Sequence, residues 1–237
     1  MKTTIIIPNY NGLSFMEPCF EALEAQTMKD FKILVVDNGS TDGSVEWLKE
    51  REIPSIFLPE NTGFSGAVNV GIRAADTPYV ILLNNDTKVA PHYVEALERA
   101  MDRSGKIFSV SSKMIQMYHP DLMDDAGDMY SVLGWAFQRG VGRPEKLYKK
   151  SCRVFTACAG AAIYRREVFE TIGYFDEMHF AYLEDIDVGY RAKLYGYDNV
   201  FCPEAVVYHV GSGTSGSKYN SFKVKLAARN NVYLNYK

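Results

Sequence analysis

The chain has 237 residues, 47% hydrophobic and 23% charged, with a formal net charge of −3. That length and composition suit one globular α/β domain with ample core, and the charge balance offers no basic field for nucleic acid. Four scattered cysteines without a CxxC pair exclude a disulfide framework and a zinc knuckle, so reduced thiols in a cytoplasmic setting are expected.

Ile5-Ile6-Ile7 predicts a first strand, closed by Pro8 and the turn-forming Asn9-Tyr10-Asn11-Gly12. Leu13, Met16, Phe20 and Leu23 recur at helical spacing, and Pro18 places the regular part of that helix at its own first turn. A second strand, Ile33–Val36, runs into Asp37. A helix follows from Ser44, with Asp42 or Thr41 as its N-cap. Ser55–Leu58 is a third strand, and a helix through Val68 and Ile72 leads to the apolar run Tyr79–Leu83, which stops at Asn84. Four strands alternating with three helices predict a right-handed parallel sheet.

Residues 113–155 are irregular and rich in Met, Tyr and Gly, with no strand assignment. A strand over Ala157–Tyr164 and a helix from Arg166 to Ile172 follow, then a helix from Glu184 to Tyr195 ended by Gly196. Val206–His209 is a late short strand, Gly211–Ser217 a flexible loop able to wrap an anion with backbone amides, and Ser221 opens a last helix. No apolar run approaches the ~18 residues of a membrane span, and the N-terminal isoleucines are too few for a signal-peptide core.

Three acidic clusters carry the chemistry. A strand ending on a carboxylate presents it at the edge where open α/β sheets bind ligands. Asp37 there could accept the imide N–H of a nucleobase; its plainer role, shared with Asp42, is to cap the next helix. Asp86, between Asn85 and Thr87, could hold Mg²⁺ or Mn²⁺ against a diphosphate, since such ions need only one or two protein carboxylates; Asn-Asn-Asp-Thr also suits a plain turn. In Phe175–Asp187, five acids interleave with aromatics, so a carboxylate in an apolar wall could act as general base. Glu184 and Asp185 equally suit the first turn of a helix. His209, taken alone, is more often structural than a metal ligand.

The order of these motifs resembles the family 2 glycosyltransferases, inverting enzymes of the GT-A fold, and within them a rhamnosyltransferase-like branch. The resemblance is carried by Ile7–Gly12, Val36–Ser44, Asn61–Asn69, Leu83–Thr87, Gly160–Ala162, Arg166–Phe169, Gly173–Glu177, Glu184–Asp187, Tyr208–Gly211 and Arg229-Asn230. It implies one GT-A domain, a Rossmann-like, mostly parallel central sheet flanked by helices. Residues 1–112 would bind the nucleotide-sugar, 113–220 the acceptor and the catalytic groups, and 221–237 would begin a C-terminal helical region that continues in relatives.

The resemblance implies Asp185 as catalytic base with Glu184 beside it. Nucleotide contacts would come from Pro8, Asn9, Tyr10, Asp37, Asn38, Asn61, Gly66 and Asn85, and Mg²⁺ or Mn²⁺ would sit on Asp86 and His209. Asn84 replaces the first acid of the DxD motif. The donor would be a dTDP- or UDP-sugar, dTDP-rhamnose first. The acceptor would be a saccharide or a lipid-linked saccharide of a cell-surface polysaccharide. Ala205–Lys237 contains basic residues and no acid, which fits peripheral contact with the inner face of the membrane or a solvated helix face. Two rivals are a non-catalytic nucleotide- or glycan-binding module and a sugar-1-phosphate nucleotidyltransferase. The latter usually carries a basic glycine-rich loop where this chain has Pro8–Gly12.

Overall fold

The computed structural model describes residues 1–211 and 220–237. In chain order its strands are β1 (Thr3–Asn9), β2 (Phe31–Asp37), β3 (Ser55–Phe57), β4 (Tyr79–Leu83), β5 (Thr87–Val89) and β6 (Ile107–Gln116). They continue with β7 (His119–Asp125), β8 (Asp128–Tyr130), β9 (Ala136–Gln138), β10 (Cys152–Val154), β11 (Ala161–Arg165) and β12 (Asp198–His209). The helices are α1 (Leu13–Glu24), α2 (Ser44–Glu50), α3 (Gly63–Ala74), α4 (Tyr93–Met101), α5 (Val168–Ile172), α6 (Glu184–Leu194) and α7 (Ser221–Tyr236).

One ten-stranded sheet runs β10-β12-β6-β11-β4-β1-β2-β3, with β5 added to β12 and β7 to β6. The pairs β3–β2, β2–β1 and β1–β4 are parallel, as the alternating pattern predicts. β11 is antiparallel to both β4 and β6, and β12 is parallel to β6. Two reversals cancel, so β6 and β12 run the same way as β4. That places Gln116 and His209 on the same sheet edge as Asn9, Asp37 and Asn84. The order also turns back between β1 and β4, the switch point where such sheets open a ligand crevice.

Alternation along the strands divides the core in two. Ile5, Ile7, Val35 and Ile81 pack against Met16, Phe20 and Leu23 of α1, Leu48 of α2 and Val94 and Leu97 of α4. Ile6, Val36, Val80 and Leu82 face Val68 and Ile72 of α3, Phe169 of α5 and Val188 of α6. On that face the rings of Phe108 and Phe169 meet edge to face at 5.2 Å. Truncating either ring to alanine should cost about 3–5 kcal/mol.

Four expectations are corrected. Helix α1 begins at Leu13, with Pro18 inside it. The lost hydrogen bond is tolerated because Met16, Cys19, Phe20 and Leu23 anchor the buried face. The N-cap of α2 is Gly43 (φ 92°) rather than Asp42 or Thr41; the Asp42 carboxylate instead accepts from Leu13 N–H at 2.9 Å and Ser44 N–H at 3.0 Å, tying the starts of two helices together. The strand expected over Ala157–Tyr164 begins only at Ala161, and Val206–His209 is the end of the 12-residue β12. The irregular middle contributes β7 and β10 to the sheet, while β8 and β9 pair as a separate hairpin. All four cysteines are free. Of the Gly211–Ser217 loop, Gly211 has φ 75° and the rest lies outside the described residues.

Candidate active site

A cleft of about 1230 Å³ opens along this sheet edge. Its walls include Pro8, Asn9, Tyr10, Asn38, Asn61, Asn85, Asp86, Glu184, Asp185 and His209. Of the residues expected at the site, Asp37 and Gly66 alone are not among its walls.

At the switch point the strand tips are joined by a polar relay. Asn9 Nδ2 donates to Asp37 Oδ2 at 2.7 Å, and Asn85 Nδ2 donates to Asn9 Oδ1 at 2.7 Å. A carboxylate can only accept, which fixes the direction of the whole chain. Asp37 is fully buried, and its Oδ1 accepts from Ser40 N–H at 2.9 Å. It lies under the cleft floor and orients Asn9. Asn38 donates to Asn61 Oδ1 and to the Gly63 carbonyl and accepts from Thr62 N–H, so it staples the start of α3. Gly66 makes room for Thr62: a Cβ there would meet Thr62 Oγ1 at 2.5 Å. Tyr10 is the open surface of this half, 37% exposed.

Asp86 and His209 come together from the turn after β4 and the end of β12. His209 Nε2 lies 3.2 Å from Asp86 Oδ1, and its Nδ1 lies 2.7 Å from Asp124 Oδ2. Burial works against an imidazolium, yet the hydrogen bonds to Asp124 and Asp86 outweigh it and push His209 up to about 10. A carboxylate holding the far nitrogen of a histidine is the arrangement that orients a metal-ligating imidazole. The oxygen of buried Asp86 and the nitrogen of half-buried His209 converge and fit a divalent ion such as Mn²⁺. A second group, Asp128, Cys158 and Asp185, also brings its donor atoms within 4.8 Å of one another. There burial, with the nearby acids, raises the Cys158 thiol well above its usual range, so it offers a hard ion a poor ligand.

Glu184 and Asp185 open α6, and their surroundings drive them apart. Burial raises both carboxyls, and the charge of Asp185 raises Glu184 further. Asp185 accepts from Ile186 N–H at 2.8 Å and Ala159 N–H at 3.3 Å, donors that favour its anion. The buried Glu184 Oε2 has no hydrogen-bond partner. Asp185 is therefore the better carboxylate, and Glu184 the group that keeps its proton. Asp128 on β8 joins them on the cleft wall, its acidity reduced by burial and then by Asp125 and Asp185.

The chain enters α6 through a strained turn. Phe180, Tyr182 and Leu183 have φ of 62°, 72° and 67°. Strain of this kind is on the order of 1–3 kcal/mol per residue. All three line the cleft.

Sequence reading missed Asp124, Asp128 and Lys223 as walls of this cleft. Asp124 and Asp128 were visible as acids but fell in the unassigned middle. Lys223, in the first turn of α7, lies where the charge of Asp86 reaches it. The basic C-terminal segment is partly turned inward: Lys237 pairs with Asp176 and Asp187, and Arg229 donates to backbone carbonyls. Among the described residues no helix is long and apolar enough to cross a membrane.

The family model for Glycosyl transferase family 2 matches residues 4–173. The chain is similar to the N-acetylglucosaminyl-diphospho-decaprenol L-rhamnosyltransferase of Mycobacterium tuberculosis, 28% identical over 90% of this chain and 77% of the relative. It is also similar to the O-antigen chain rhamnosyltransferase of Salmonella typhimurium, 28% identical over 94% of this chain and 70% of the relative. Among solved structures, GalNAc-T7 with UDP, GalNAc and Mn²⁺ superposes with a TM-score of 0.79 at 17% identity, over 99% of this chain and 47% of that one. S. aureus TarS 1–349 in complex with UDP-GlcNAc superposes at 0.68 and 18% identity, over 99% of this chain and 66% of that one. At such identities the structural likeness establishes the fold alone.

Proposed function

The chain belongs to glycosyl transferase family 2, and on that premise we propose that it transfers a sugar, with inversion, from a pyrimidine nucleoside-diphosphate donor to an acceptor hydroxyl. The supporting observation is the meeting of Asp86–His209 and Asp185 on one cleft at the sheet's switch point. The donor is dTDP-rhamnose or a UDP-sugar. The acceptor is a saccharide or a lipid-linked saccharide, in keeping with the names of the rhamnosyltransferase relatives.

Tyr10 and Pro8 form the base-binding wall, with Asn9 presented by Asp37 and locked to Asn85. Asn38 and Asn61 shape the adjoining turn, and Gly66 lets that turn pack closely on α3. Asp86 and His209 hold a divalent ion, Mg²⁺ or Mn²⁺. Such an ion supplies positive charge to the departing diphosphate. Lys223 adds a cation on the same wall.

Asp185 takes the proton from the acceptor hydroxyl as that oxygen forms its bond to the anomeric carbon. The carbon–oxygen bond to the diphosphate breaks on the opposite face, and its electron pair leaves with the nucleotide. One carboxylate suffices near the reacting carbon, unlike the pair a glycosidase needs. Glu184, protonated, spares Asp185 a second adjacent charge.

Residues 1–112 serve the donor, 113–220 the acceptor and the base, and 221–237 close the cleft from one side. The protein works in the cytoplasm, in contact with the membrane face where a lipid-linked acceptor would be presented. The test is stereochemical. The product of transfer from dTDP-β-L-rhamnose should carry an α-linked rhamnose by one-bond C–H coupling in NMR, and a β-linked product would rule out single displacement.

A further inference from the structure

The turn that brings Asp185 into the cleft is held from both sides by asparagines. On the α3 side, Asn69 donates to the Phe175 carbonyl at 2.8 Å and accepts from Phe175 N–H at 3.0 Å. Ser65 N–H donates to the Phe180 carbonyl at 3.2 Å. Gly63 permits this approach, because a Cβ there would meet that same carbonyl at 2.5 Å.

On the α7 side the hold is denser. Asn230 is fully buried, and its Nδ2 donates to the carbonyls of His179 at 2.8 Å, Ala181 at 2.8 Å and Tyr182 at 2.7 Å. An amide nitrogen has two hydrogens, so three acceptors can be served only when they crowd around it in one fixed geometry. Arg229 Nη2 adds bonds to the carbonyls of Met178 and His179 at 2.8 and 2.9 Å. The ring of His179 meets Tyr233 edge to face, and Phe180 meets Phe222.

These contacts surround the three positive-φ residues, and such backbone persists only where its surroundings over-determine it. Left without them, Phe180, Tyr182 and Leu183 would relax toward ordinary dihedrals and re-aim the first turn of α6. Asn230 itself is not a wall of the cleft. It has no place in the roles assigned above.

We propose that Asn230 is a positioning residue for transfer: it clamps the carbonyls of residues 179–182 so that Asp185 faces the cleft. The proposal rests on the reading of that cleft as a glycosyl transferase site. Helix α7 is then a strap across the catalytic turn. The Asn230 amide bonds to the carbonyls of His179, Ala181 and Tyr182 and to none of the residues assigned to the donor, so donor affinity should not depend on this side chain.

The experiment compares wild type with Asn230→Ala and Asn230→Asp. Aspartate keeps the shape but sets acceptor oxygens against three carbonyls, so it separates hydrogen bonding from packing. Three readings are taken: nucleoside-diphosphate release from dTDP-rhamnose and UDP-N-acetylglucosamine with an alkyl N-acetylglucosaminide acceptor, affinity for UDP with Mn²⁺, and hydrogen exchange of peptides covering 176–186 and 31–43. Expected is a fall in kcat of about tenfold or more for both variants, with aspartate no better than alanine. UDP affinity should stay within about twofold, and exchange should quicken in 176–186 alone. An aspartate variant with wild-type kcat would overturn the proposal, as would a loss confined to UDP affinity.

Should the Asn230 variants fail to fold, Arg229→Ala decides. Its side chain is exposed, and its loss removes the bonds to the Met178 and His179 carbonyls together with the Nε bond that holds Asn230 Oδ1 at 2.9 Å. A lower kcat with intact UDP affinity supports the clamp; unchanged kcat and unchanged exchange overturn it. If wild type releases no nucleotide from either donor, the glycosyl transferase reading falls, while the exchange data still judge the clamp.

Discussion

His209 Nε2 faces Asp86 Oδ1 at 3.2 Å, although one residue ends β12 and the other follows β4. Two parts of the sheet built in different halves of the sequence therefore meet at one charged point. Asp124, at 2.7 Å from the other ring nitrogen, fixes which face the imidazole presents.

If Asp86 and His209 hold the ion as proposed, metal binding is a proton exchange. The imidazole must be neutral to ligate, and without metal its pKa is about 10. Mn²⁺ affinity should rise by about tenfold per pH unit from roughly pH 6.5 to 8, with about one proton released per ion. Calorimetry in buffers of different ionisation enthalpy counts that proton. In His209→Ala the slope should flatten.

The same pair governs metal-free stability. A histidine raised from about 6.5 in the unfolded chain to about 10 in the fold contributes stability that is fully present below pH 6.5. That contribution is lost as pH rises through 10. The Tm difference between wild type and His209→Gln, measured with chelator, should therefore be largest near pH 6 and shrink steadily toward pH 10.

Asp185 and Glu184 should separate cleanly. Asp185→Asn is expected to lower kcat about 10²–10⁴-fold while leaving UDP affinity in place. Glu184→Gln keeps the neutral, hydrogen-bearing form and should cost less than about tenfold. Because burial raises Asp185, the acid limb of the kcat profile should lie above the ordinary carboxylate range. Initial rates across pH with each variant check both statements.

Gly12 is packed against the relay. A Cβ there would collide with Asn85 Nδ2 and come within 2.7 Å of Asn9 Oδ1. Gly12→Ala should break the Asn9–Asn85 bond and weaken UDP binding by roughly tenfold, the effect of losing about one hydrogen bond. Unfolding by denaturant should also report a loss of about 1–3 kcal/mol, because the broken bond is buried and the added methyl overpacks the site.

Much of this cleft was legible in the sequence because β1, β2 and β4 are apolar runs that stop on polar residues. Asp86 follows from that pattern and from where a parallel sheet presents its strand ends, whereas Asp185 stands in the acid–aromatic cluster Phe175–Asp187 and Asn9 as a site residue comes with the family resemblance. Asp37 shows its limit: an acid at a strand tip can point into a cleft or beneath its floor, and only packing decides. Asp128 lies in a three-residue strand, too short to carry a period, and Asp124 in the seven-residue β7, whose His119–Asp125 run shows no apolar alternation. Pro18 misled because tertiary anchoring of α1 outweighs the local cost of proline. Asn230 belongs to the Arg229-Asn230 motif, but three carbonyls gathered around one amide are a property of the fold.

The central claim is tested most directly by calorimetric titration of UDP and dTDP, each with and without Mn²⁺, into wild type and Asp86→Ala. Metal-dependent binding of at least one of them to wild type, lost in the variant, is the predicted result. Failure of both nucleotides to bind wild type with Mn²⁺ present, or equal binding by Asp86→Ala, would contradict a donor site at this sheet edge.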